Sequence, residues 1–338
     1  MNTIISRHGG HHRGQLIMHD LSTNANQLGP CPFVLNRVHT ADYSSYPDPE
    51  YQSLRTAIAD RHGVSAGQVV VGAGASELIL RLVRRHSGPV RVLGPSFSEY
   101  ERCAQIERRP CFETSDPATF AAIQRLDDGL GFACWPNNPT GEAWPIALLA
   151  EASRRGRIAV DLAYAPLCAG NRPAQIEKAV PDAFRLYSPN KSFGLTGIRA
   201  AYMIMPEPDE RLQWMGASWS VDAAGVRFLE AVLAPEADAW LAATLPELHA
   251  RRTRFADQLR AHGFPVMESC ANFLLAQLGD PKVVTGPLQA LGIGVRDATS
   301  FGLRGWFRLA APEEQVATEL LAALLDAKPE TLAYNAAR

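Results

Sequence analysis

The sequence predicts an α/β fold, with a large domain built on a mostly parallel sheet sandwiched by helices and a smaller α+β domain after it. Three observations carry this. Between residues 69 and 205, short apolar runs without alternation recur, separated by stretches of helical period. Small and polar residues cluster directly after those runs, in GAGAS, PNNPTG and SPNKSFG, as at strand ends facing a ligand. Beyond about residue 222 a long helical stretch gives way to a separate set of strands and helices.

The elements follow in order. PEYQSLRTAIADRHG (49–63) places Leu54, Ala57 and Ile58 at helical spacing, with Gly63 where a C-cap is expected. VVVG (69–72) is a buried-type strand, SELILRLVRRH (76–86) a helix, and VRVL (90–93) and GFACW (131–135) are further strands. IALLAEASRRG (146–156) is a helix ending in basic residues and glycine. RIAVD (157–161), FRLYS (184–188) and RAAYMIM (199–205) complete the first set of strands. The helical stretch at 222–262 is expected to break or kink at Pro246. NFLLAQL (272–278), a helix near 285–291, IGVR (293–296), WFRLA (306–310) and a helix near 313–326 form the smaller unit. The domain reading is an N-terminal arm over 1–42 that packs on the small domain and the active site, a large domain over 43–230 and a small domain over 231–338.

Composition narrows the function. The 338 residues are 46% hydrophobic and 20% charged with a formal net charge of −2, as in an ordinary globular chain. No basic stripe or low-complexity tract suits nucleic acid or a membrane surface, and no apolar run is long enough to span a bilayer. The start lacks the apolar core of a signal peptide, and the six cysteines are scattered without a CxxC pair. Buried thiols in a cytoplasmic enzyme are the expectation.

Four stretches carry chemistry, each at a strand end. In VVVGAGASELIL a strand turns through glycines into a helix, whose free N–H groups with Ser76 suit a phosphate, although taken alone an ordinary strand–helix turn with Ser76 as its cap is the commoner explanation. WPNNPTG is a turn that offers Asn138 to the cleft. In VDLAYAPL, Asp161 is either a local cap or a buried anion that keeps a ring nitrogen protonated. In SPNKSFGLTGIR, Lys191 beside Arg199 in a desolvated cleft would have a lowered pKa and a nucleophilic amine, with Arg199 and Ser188 as phosphate donors.

In their order, GAGASE, PSFSEY, WPNNPTG, DLAY, SPNKSFGLTGIR and WFRLA resemble the fold-type I pyridoxal-phosphate enzymes of the class I/II aminotransferase superfamily, which have the aspartate-aminotransferase-like fold. The resemblance runs from about residue 43 to 310. It implies pyridoxal 5′-phosphate as cofactor, Lys191 as its covalent anchor and proton shuttle, and Asp161 as partner of its ring nitrogen. It also implies Tyr164 and Asn138 at the cofactor's phenolic oxygen and Phe97 stacked on the ring. Ala75, Ser76, Ser188 and Arg199 would hold the phosphate, and Arg308 the substrate carboxylate. Tyr46 looks like the tyrosine that reaches the phosphate of a partner subunit, which implies a homodimer with shared sites.

The arm, RHGGHH (7–12) and MHDLSTNANQLGPCP (18–32), resembles the threonine-phosphate decarboxylases of cobalamin biosynthesis, which share a subgroup with histidinol-phosphate aminotransferases. Arg7 and His8 are then expected at an anionic substrate tail, a metal at the histidines being disfavoured by the lack of matching ligand spacing. The first expectation is decarboxylation of O-phospho-L-threonine to aminopropanol phosphate. The alternative is an aminotransferase for histidinol phosphate or a related amino acid.

Overall fold

The computed structural model describes residues 17–327 except 125–127, 169 and 171. Its strands in chain order are β1 (His19–Asp20), β2 (Val69–Gly72), β3 (Val90–Leu93), β4 (Cys111–Thr114), β5 (Leu130–Cys134) and β6 (Arg157–Asp161). They continue with β7 (Phe184–Tyr187), β8 (Ala201–Ile204), β9 (Phe273–Gln277), β10 (Ile293–Gly294), β11 (Arg296–Asp297) and β12 (Trp306–Ala310).

Seven strands form the main sheet in the order β2-β8-β7-β6-β5-β3-β4. It is parallel apart from β8, which runs against both its neighbours. The central strands are buried along their whole length, which is why they read as unbroken apolar runs. Helices cover both faces, and two apolar clusters fill the layers between helices and sheet. Helix Ala75–Arg85 packs Leu78, Ile79, Leu82 and Val83 inward. The mostly parallel α/β sheet expected from the sequence is therefore present.

A second sheet, antiparallel in the order β11-β12-β9, has its own apolar cluster with helices Pro281–Ala290 and Glu314–Asp326. Leu21 joins that cluster from the N-terminal segment, and β1 pairs with β10 in parallel.

Three differences from the sequence expectations have physical reasons. Pro246 neither ends nor interrupts the helix Pro235–Ala261. It lies on the exposed face, so water can take up the carbonyl of Ala242 that a proline cannot satisfy. The chain instead leaves the preceding helix Ala223–Val232 just before Pro235, which starts the next one at the position where proline is favoured. Strand β4 was not anticipated: it lies at the edge of the sheet and is half-exposed, so it lacks an apolar run. Helices Pro32–His39, Glu99–Ile106, Pro117–Ile123 and Arg172–Ala179 are seven or eight residues long, too short for a clear period to emerge.

Candidate active site

The strands of the main sheet deliver their carboxyl ends to one cavity of about 280 Å³. β5 ends before the turn that carries Asn138, β6 ends in Asp161, and β7 ends before Ser188 and Lys191. The β2–helix turn brings Gly74, Ala75 and Ser76, the loop after β3 brings Phe97, and β12 brings Arg308 from the second sheet. Lys191, Asp161, Tyr164, Asn138, Phe97, Ala75, Ser76, Ser188, Arg199 and Arg308 thus all line the same cavity, although they come from residues 75 to 308 of the chain.

Lys191 stands at the centre. Its Nζ donates to the carbonyl oxygen of Thr23 at 3.1 Å. Burial, then the guanidinium of Arg308 and then that of Arg199, lower its pKa from 10.5 to about 8. A buried amine between two permanent cations loses its proton readily, which is the condition for a nucleophile near neutral pH.

Asp161 forms the floor. Its Oδ1 accepts from the N–H of Ala163 at 3.0 Å and its Oδ2 from the hydroxyl of Tyr100 at 2.9 Å. No salt bridge reaches it among the described residues, and burial raises its pKa. Tyr164 is buried beside it and meets the ring of Phe273 edge-on at 5.1 Å, with its phenol pushed up to about 12 by burial.

At one end of the cavity the helix Ala75–Arg85 begins at Gly74 with no side-chain cap, leaving its first N–H groups open. Ser76 lies inside the first turn and so does not serve as the N-cap. Gly74 has φ +92°, and a Cβ there would come within 2.6 Å of a guanidinium nitrogen of Arg199. Glycine is thus required for Arg199 to lie against the helix start, where the two form a cradle for a dianion.

Arg308 is buried at the opposite side. It donates to Asn138 Oδ1 and to the carbonyl oxygen of Ser22, its guanidinium lies 5.9 Å from the ring centre of Phe273, and its Nε has no partner. A second arginine, Arg296, also lines the cavity and pairs in register with Arg308 across β11 and β12. Its Nη2 donates to Ser300 Oγ at 2.8 Å. The charged lining among the described residues is therefore Lys191, Arg199, Arg296 and Arg308 against Asp161 alone, a cavity suited to anions.

The sequence reading missed Arg296, Tyr100 and the carbonyl groups of Ser22 and Thr23. Arg296 had a signal, since IGVR is an apolar run ending in a cation, although the structure divides it between β10 and β11. A backbone carbonyl has none. Tyr46 is not in the cavity of its own chain: it is 81% exposed, with its ring 4.8 Å from that of Trp219. Arg7 and His8 lie outside the described residues.

A large parallel sheet that presents a lysine, an aspartate and a helix-start anion cradle at its carboxyl edge defines a class of cofactor-dependent enzymes. Residues 17–324 match the model of the family "Aminotransferase class I and II", and the chain belongs to that family. Among its relatives is the histidinol-phosphate aminotransferase of Thermobifida fusca, 29% identical over 87% of this chain and 86% of that protein. The solved histidinol-phosphate aminotransferase of Sinorhizobium meliloti, in complex with pyridoxal-5′-phosphate, superposes with a TM-score of 0.80 over 92% of this chain and 90% of that one, at 21% identity. The L-threonine-O-3-phosphate decarboxylase of Porphyromonas gingivalis superposes with a TM-score of 0.72 over 86% of this chain and 91% of that one, at 22% identity. At such identities the two structures speak to the fold. The sequence relatives favour transamination over the decarboxylation that the arm had put first.

Proposed function

We propose that this chain is a pyridoxal 5′-phosphate-dependent aminotransferase whose amino substrate carries a strongly anionic group, with histidinol phosphate, whose one anion is its phosphate, the candidate supplied by its relatives. The observation that supports a strongly charged anion is the pair Arg296 and Arg308, in register on adjacent strands and both lining Lys191's cavity.

The residues present fit the cofactor. The open helix start with Ser76, Ser188 and Arg199 holds the phosphate. Asp161 would hold a proton at the ring nitrogen, Phe97 would cover the ring, and Tyr164 and Asn138 would hydrogen-bond its phenolic oxygen. When bound, the cofactor supplies an electron sink that lets a bond at the substrate's α-carbon break. Lys191, with its pKa near 8, moves the proton at that carbon. Arg308 would grip the substrate's anion, the carboxylate of an amino acid or the phosphate of histidinol phosphate, and so orient its α-carbon toward Lys191. Arg296 would add a second guanidinium for the higher charge of a phosphate.

The chain reads as an arm (1–42), a large domain (43–230) and a small domain (231–338). A second copy completes the site, with the exposed ring of Tyr46 reaching the partner's phosphate cradle.

The test is a half-reaction. Holoenzyme mixed with histidinol phosphate alone should lose its visible absorption, and 2-oxoglutarate should restore it. Catalytic release of CO₂ from O-phospho-L-threonine with no oxo acid present would replace this reading with the decarboxylase one.

A further inference from the structure

Asp161 raises a question that its place at the cofactor does not answer. It is a carboxylate almost wholly buried, paired with no cation among the described residues, and burial pushes it toward its neutral form. A neutral carboxyl group would keep the proton that the ring nitrogen needs.

Two donors oppose this. One is the N–H of Ala163, two residues on, which any residue but proline would supply. The other is the hydroxyl of Tyr100, on helix Glu99–Ile106 and 61 positions away in sequence. Tyr100 has no exposed surface, and its ring is fixed on two sides. It stacks on Phe132 of β5 at 4.7 Å with 9° between planes, and meets Phe97 edge-on at 5.7 Å. Packing alone would be met by phenylalanine. Its hydroxyl also meets the thiol of Cys134, but the carboxylate Oδ2 of Asp161, at 2.9 Å, is the acceptor that its proton reaches.

We infer that Tyr100 is a positioning residue for the reaction: by donating to Oδ2 it keeps Asp161 ionised and leaves the shared proton on the cofactor's ring nitrogen. This rests on the cofactor reading above. The titratable groups around the carboxylate support it. Tyr100, Cys134 and Tyr164 are all held neutral, their pKa values raised chiefly by burial. Asp161 is then the group on that wall whose charge a donated hydrogen bond can set. Phe97, in the loop just before the helix, and Tyr100, in its first turn, serve the ring's face and its nitrogen from a single short segment.

The experiment compares full-length wild type with Tyr100→Phe, both loaded with pyridoxal phosphate labelled with ¹⁵N at the ring nitrogen. Wild type should show a protonated nitrogen, and Tyr100→Phe a shift toward the neutral one. The affinity for pyridoxal phosphate should fall on the acid side at a pH about one unit higher in the variant, a roughly fivefold loss relative to wild type at the wild-type midpoint. Incorporating 3-fluorotyrosine at position 100, a stronger donor of nearly the same shape, should move the nitrogen signal and the acid limb the opposite way. This arm decides the matter if Tyr100→Phe does not fold. Unchanged nitrogen shift and acid limb in a folded, cofactor-loaded variant overturn the inference alone. A wild type that takes up no pyridoxal phosphate overturns the cofactor reading and this inference with it.

Discussion

The Nζ of Lys191 donates to the carbonyl oxygen of Thr23 at 3.1 Å, joining the centre of the cavity to the N-terminal strap across 168 positions of sequence. The same strap receives a bond from Arg308 at Ser22. Two backbone carbonyls of the strap thus meet two of the cavity's cations.

Lys191 makes the apo-protein's stability depend on pH. Its folded pKa of about 8 lies below the ordinary 10.5, so between those values the unfolded chain holds a proton the folded chain has released. Its contribution to stability should therefore rise with pH from about 8 to about 10.5, against the fall contributed by buried thiols such as Cys134, which stay protonated in the fold above their ordinary value of 9. Urea midpoints measured across that range should fall more steeply in Lys191→Met than in wild type. A midpoint that falls equally in both would mean the amine is not desolvated.

The strap's docking depends on a close backbone approach. Asn26 N–H donates to Lys191 O at 2.8 Å and Cys31 N–H to Phe193 O at 3.0 Å. Between them Gly194, at φ +69°, faces Gly29, and a Cβ on Gly194 would lie 2.9 Å from the Cα of Gly29. That neighbour is backbone and cannot swing away. Gly194→Ala should cost about 1–3 kcal/mol in urea unfolding, from the left-handed strain and the displaced strap. Gly197→Ala, where an added methyl meets nothing within 4 Å, should stay within about 0.5 kcal/mol. Equal effects at the two positions would show that the strap does not rest on this contact.

Much of the site was legible because α/β sheets gather their chemistry at strand ends. Asp161, Ser188 and Asn138 each follow an apolar run, and each lines the cavity. What could not be read has physical causes. Tyr100 sits inside an amphipathic helix, where an aromatic side chain looks like core, and its polar partner is distant in sequence. Thr23 and Ser22 act through carbonyl groups, which every residue carries. Pro246 carried the expected cost only if its unsatisfied carbonyl were buried, and exposure cannot be inferred from one residue.

The two arginines of the second sheet should separate by substrate. Arg308→Lys keeps the charge but loses the planar fork, so kcat/KM for glutamate should fall about a hundredfold while cofactor affinity holds. Arg296→Gln should cost about ten- to a hundredfold in kcat/KM for histidinol phosphate and far less for a monoanionic amino acid. Steady-state kinetics with both substrates checks this. A uniform loss across substrates in Arg296→Gln would mean that Arg296 only supports the fold of β11.

Gly74 tests the phosphate end, and its physics differs from that of Gly194. A Cβ at Gly74 would meet a terminal nitrogen of Arg199, 2.6 Å away, and not backbone. Arg199 is exposed, and its Nη1 makes only a long 3.4 Å bond to Thr196 O, so it can yield. The fold should then lose little beyond the strain of φ +92° at a non-glycine residue, about 1 kcal/mol. The guanidinium, however, would be pushed off the helix start that it must share with the phosphate. Gly74→Ala should therefore lower the affinity for pyridoxal phosphate at least about tenfold with only a small change in apo-protein stability. Reconstitution of the apo-protein, followed by cofactor absorption, measures the first quantity and urea unfolding the second. Loss of both in step would place Arg199's role in the fold, and loss of neither would remove Gly74 from the cradle.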